Sequence, residues 1–112
     1  MKKESLVINK IKRSTMYNKI KTSLKLQLEV ENDVLLDLID DYMSFYITKT
    51  LLIMDIEERG VQVISYNSRG DEILKKNDSI TELTKVNTQM LKILAQLNIK
   101  NEIKEDSLYD EL

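Results

Sequence analysis

The feature that most limits how this chain can fold is the apolar pattern from Val34 to Ile56, closed by Gly60. Val34, Leu35, Leu38, Ile39, Tyr42, Phe45, Tyr46, Leu52, Ile53 and Ile56 recur at helical spacing, and Asn32 or Asp33 supplies a side chain able to cap the start. Glycine ends such a pattern because it tolerates the left-handed backbone at a helix C-terminus. A helix from Asp33 to Arg59 is about 40 Å long at about 1.5 Å per residue. That is long for a chain of 112 residues.

Past Gly60 the period changes. Val61, Val63 and Ser65 alternate with Gln62, Ile64 and Tyr66, which predicts a short strand. Asn67, Ser68, Arg69 and Gly70 are turn residues, and Glu72 to Leu74 can return as the partner strand. Lys75 to Asp78 then read as a polar link. Ser79 and Glu82 have the spacing of a capping box for another helix, whose stripe is Leu83, Val86, Met90, Leu94 and Leu97, widened by Leu91 and Ile93. Asn98 is a suitable stop. Before the long helix, Met16, Tyr17, Ile20, Leu24 and Leu28 predict an amphipathic helix from about Ser14.

The expected fold is therefore mainly α: an antiparallel hairpin of a long central helix and a C-terminal helix, joined by a short β-hairpin and preceded by a basic N-terminal helix. Its segments are a basic helical arm (1–31), an oligomerisation core (32–99, β-hairpin at about 61–74) and an acidic flexible tail (100–112). Leu35, Leu38, Tyr42 and Phe45 lie near one face of the long helix, with Ile39, Tyr46 and Ile53 round its side. That stripe is broad for one partner helix, and uncovered apolar surface predicts self-association. The plainer account is a monomeric bundle in which the first helix covers it.

Composition removes most chemistry. Histidine and cysteine are both absent, so there is no cysteine nucleophile, no serine–histidine relay and no ordinary zinc set. Two glycines, Gly60 and Gly70, make no phosphate-cradling loop. Asp33, Asp37, Asp40 and Asp41 could hold a divalent cation, but a solvated helix start, where negative charge suits the dipole, is the simpler account. The expectation is no enzyme, no metal and no cofactor. A 32% charged share and the short uncharged run from Tyr42 to Thr48 predict no membrane span, and the basic start lacks a signal-peptide pattern.

The net charge of −2 hides a strong asymmetry. Met1 to Lys25 holds eight bases and one acid, Gln27 to Asp41 six acids and no base, and Glu102 to Leu112 five acids and one base. Lys10, Lys12, Arg13, Lys19, Lys21 and Lys25 are candidates for contact with the phosphates of double-stranded DNA. A solvated arm, or one paired with a neighbour's acidic block, remains an equal reading. A membrane-surface helix would need more bulky anchors.

Two stretches resemble the small terminase subunits of tailed bacteriophages and prophages. DLIDDYMSFY (Asp37–Tyr46), continuing through LLIMDIEERGV (Leu51–Val61), is similar to that family's central helix, and KKNDSITEL (Lys75–Leu83) with NTQMLKIL (Asn87–Leu94) to the segment that follows. The resemblance runs from about Asp37 to Ile99, and its most specific part is Glu-Arg-Gly at the helix end combined with the Lys-Lys-Asn helix entry. It implies a non-catalytic packaging protein of the host cytoplasm. Such a protein assembles into a homo-oligomeric ring, recognises the viral packaging site and delivers DNA to the large subunit, which holds the ATPase and nuclease. Tyr42, Phe45, Leu52, Ile56, Leu83, Val86, Met90 and Leu94 would divide between subunit core and subunit interface. The acidic tail, Glu105 to Leu112, is a candidate contact for the large subunit. Many relatives have a more glycine-rich hairpin tip, and some carry a helix-turn-helix at the N-terminus that is not recognisable here.

The competing reading is a small helical regulator, transcriptional or antitoxin-type, that binds DNA as a dimer. A coiled-coil adaptor fits less well, because Lys49 interrupts the stripe.

Overall fold

A computed structural model describes residues 2–99, with side chains from Ser5 onward. Four helices and one hairpin follow in the order α1 (Lys2–Lys12), α2 (Thr15–Leu26), α3 (Asp33–Arg59), β1 (Gln62–Tyr66), β2 (Glu72–Lys76) and α4 (Asp78–Gln96). The molecule is mainly helical with a two-stranded antiparallel sheet, as the periodicities predict. The arm differs in holding two helices rather than one. The acidic tail lies outside the described residues.

The long helix has the limits its sequence suggests. Asn32 is extended and its side-chain oxygen accepts from the Leu35 amide at 2.9 Å. At the other end Gly60 takes φ 84°, and its amide donates to the Ile56 carbonyl at 2.7 Å. A residue with a Cβ is disfavoured at that φ. At the end of α4, Asn98 has φ 55°, its amide donates to the Ala95 carbonyl, and the Ile99 amide reaches back to the Leu94 carbonyl. This is the Schellman pattern, with Leu94 and Ile99 both packed on the core.

The core is a seam along the middle of α3. Ile39, Met43 and Ile47, one turn apart, are buried between Tyr17 and Leu24 of α2 and Ile93 and Leu97 of α4, with Ile11 of α1 completing the cluster. Ile39 and Met43 lose essentially all solvent contact. Each fully buried side chain of this kind contributes about 2 kcal/mol of transfer free energy. Leu35, Leu38, Tyr42 and Phe45, expected near one face of the helix, form a half-buried flank, because helices cover α3 on two sides. Tyr17 and Tyr46 meet edge to face, ring centroids 5.9 Å apart. The broad stripe thus has more than one partner, and the arm shares the core of the helical hairpin.

The predicted capping box does not form. Helix α4 starts two residues earlier, capped by Asn77, whose oxygen accepts from the Ser79 amide at 3.0 Å. The Ser79 hydroxyl donates instead to Asp55 at 2.7 Å, and Glu82 lies 3.4 Å from Lys85. Asn77 is completely buried and fully used. Its amide nitrogen donates to the Gly60 carbonyl (2.9 Å) and to Asp55 (3.2 Å), its oxygen also accepts from Arg59 (3.3 Å), and its backbone amide donates to the Val61 carbonyl (2.8 Å). Arg59 grips Asp55 with two bonds of 2.7 and 2.8 Å. Arg59 above all, and then the Ser79 hydroxyl, hold the Asp55 carboxyl well below the usual carboxylate range. This joint ties the end of α3 to the start of α4 across the base of the β-hairpin.

The hairpin itself pairs Gln62 with Lys76, Ile64 with Leu74 and Tyr66 with Glu72. Lys75 and Lys76, expected in a link, extend the second strand. At the tip the Asn67 side-chain oxygen accepts from the amides of Arg69 and Asp71, both at 2.9 Å, and Gly70 takes φ 83°. Because side chains alternate, Ile64, Tyr66 and Leu74 share one face, and each is more than 60% exposed.

Candidate nucleic-acid interface

The cationic arm is organised around Ser14. Its amide and hydroxyl both donate to the Ile11 carbonyl, at 3.0 and 2.7 Å, while the hydroxyl oxygen accepts from the Tyr17 amide at 3.3 Å. One serine thus closes α1 and caps α2. Asn18 locks the corner from the other side, its amide nitrogen donating to the carbonyls of Lys12 and Ser14, each at 2.9 Å. Sequence reasoning found Ser14 as a helix start and missed Asn18, whose spacing from Lys12 has no meaning until the corner is formed.

Five of the six candidate cations, Lys10, Lys12, Arg13, Lys19 and Lys25, are exposed. Lys10 and Lys12 stand on the last turn of α1, where positive charge suits the dipole. Arg13 lies at the corner, its Nε donating to the Asn9 carbonyl at 3.3 Å. Lys21 is half-buried, and its ammonium lies 4.0 Å from Asp40 on α3. The fold brings Lys10 and Arg13 together on a shared hollow with Ser14. It does not gather all six: at about 100° per residue, Lys19 and Lys21 point about 160° apart around α2. Lys19 shares its outward face with Thr15, Asn18, Thr22 and Ser23, which line a shallow groove. The arm is a basic surface on several sides rather than one stripe.

The eight interface or core candidates also divide. Val86 and Met90 are buried within the subunit, whereas Tyr42, Phe45, Leu52, Ile56, Leu83 and Leu94 are half-buried. Burial, and after it the neighbouring Tyr46, raises the Tyr42 hydroxyl above its ordinary value. The most exposed apolar group on the sheet, Ile64, Tyr66 and Leu74, was not singled out from sequence. Alternation along the first strand was visible, but the face left open depends on where the hairpin sits. Among the described residues no three acidic side chains converge on a possible metal site, and no helix is long and apolar enough to cross a membrane.

Comparison with protein-family models, with curated proteins and with solved structures finds no match to this chain.

Proposed function

We propose that this chain is a small terminase subunit: a non-catalytic DNA-packaging protein that assembles as a ring, recognises the viral packaging site and delivers DNA to the large ATPase and nuclease subunit. The observation that carries this reading is the joint between α3 and α4. The segments that most specifically resemble the family, Glu58–Gly60 and Lys75–Asn77, meet there, with Arg59 and the Gly60 carbonyl bonded to Asn77. A resemblance spread over two distant segments is stronger when those segments build one structural unit. The exposed cations of α1 and α2 support contact with phosphates. The open apolar face of the β-hairpin supports self-association, since an isolated two-stranded sheet is at best marginal in water. The acidic tail remains the candidate contact for the large subunit, and the host cytoplasm the place of action.

Native mass spectrometry tests the assembly: a closed particle of many copies is expected. Neutralising Lys10, Lys12, Arg13, Lys19, Lys21 and Lys25 tests DNA contact, because six phosphate contacts give a log–log salt slope of about −5 that the variant should lose. Unchanged affinity and slope would sink the arm's role. The dimeric regulator is favoured by one observation, the tight corner between two short N-terminal helices. A stable dimer in the mass spectrum would select it.

A further inference from the structure

Where α1 lies against α3, Val7, Ile11, Tyr46 and Met54, with Lys10 and Ser14, line an open groove of about 290 Å³. The hollow beside it shares Lys10 and Ser14 and adds Arg13. This is an apolar slot flanked by two cations, neither of which forms an ion pair with a described carboxylate. We infer that the groove receives the chain's own acidic tail, residues 102–112, and that the docked tail competes with DNA for the arm. The inference rests on the arm being the DNA-binding surface.

Three observations select this occupant. Charge is complementary, since the tail holds Glu102, Glu105, Asp106, Asp110 and Glu111 and the head has a net charge of +7. The tail also carries an apolar pair, Leu108 and Tyr109, between acids, which matches an apolar floor with a basic edge. Finally, the reach is sufficient. Leu97 and Asn98, at the end of α4, lie beside Leu35 near the start of α3. From there to Met54 is about 29 Å along the helix, whereas residues 100–109, up to the apolar pair, extend to about 33 Å. A partner that takes the tail would uncover the arm, so DNA binding and partner binding would be coupled through one segment.

Two full-length variants test the contact. One neutralises the five tail acids as Gln or Asn. The other, Leu108→Ser with Tyr109→Ser, keeps the charge and removes the apolar pair. Both are expected to shift the methyl signals of Val7, Ile11 and Met54 in DNA-free protein. Both should also tighten DNA binding, by about tenfold if the open arm is about a tenth of the population, with the gain shrinking as salt rises. Methyl signals that stay in place overturn the docking whatever the DNA result. Moved signals with unchanged DNA affinity in the serine variant overturn the competition. If no form binds DNA while the signals move, the arm's DNA role fails and the tail contact stands. Wild-type positions restored to a labelled tail variant by added unlabelled wild-type chain would assign the tail to a neighbouring copy, against the contact within one chain.

Discussion

Asn77 has the highest stakes of any single side chain in the fold. It is wholly buried, and it satisfies the Ser79 amide, the Gly60 carbonyl and part of the Asp55–Arg59 pair at once. Asn77→Ala removes those partners without letting water in, so urea denaturation should show a loss of about 2–3 kcal/mol. Asp55 makes the same joint sensitive to acid. Its folded value is depressed, so its contribution is complete above the ordinary carboxylate value and is lost as pH falls below about 4. Denaturation midpoints recorded from pH 6 to pH 2 should fall for the wild type and fall less for Asp55→Asn, the two curves converging at the acid end. The two ends that meet in this joint, Gly60 and the Lys-Lys-Asn helix entry, were legible in the sequence, but the side-chain bonds between them were not. The Ser79–Glu82 spacing is a sound local rule, but Asp55, 24 residues away, competes for the Ser79 hydroxyl and wins.

At the scale of elements, local requirements were readable and partner-dependent ones were not. Asn32, Gly60 and Asn98 mark helix ends because each meets a backbone need that neighbours in sequence can satisfy. Asn98→Ala should cost about 1 kcal/mol, since alanine bears the left-handed backbone poorly, whereas Asn98→Gly should match or slightly exceed the wild type. Thermal denaturation of the two variants checks the order. Helix α1 went unforeseen because its apolar residues Val7, Ile8 and Ile11 acquire a purpose only against the rest of the core. The buried line of α3, Ile39, Met43 and Ile47, was not singled out for a similar reason. A broad stripe does not show which line along it is the seam until the partners on both sides are placed. The six cations were found as a composition, while their scattering around α1 and α2 is a matter of angle that charge counting does not contain.

For the whole molecule, the candidate DNA-contacting cations and the open apolar face of the sheet lie on different elements. The arm carries the cations, the β-hairpin carries Ile64, Tyr66 and Leu74, and the core between them is closed by helices. If the sheet face joins copies, Ile64→Lys combined with Leu74→Lys should reduce a many-copy particle to single chains in native mass spectrometry. Helical circular dichroism should be retained, because both positions are exposed within one subunit. A particle of unchanged mass would move the subunit contact to the half-buried flanks of α3 and α4.

The tyrosine pair across α2 and α3 has an optical consequence. With no tryptophan in the chain, tyrosines dominate its near-ultraviolet signal, and Tyr17 and Tyr46 are the pair held in fixed, asymmetric contact among the described residues. Lifting the arm from α3 would free both rings and erase their share of the near-ultraviolet dichroism while the helices, and hence the far-ultraviolet spectrum, persist. The protein thus contains its own gauge of arm docking, legible without any label.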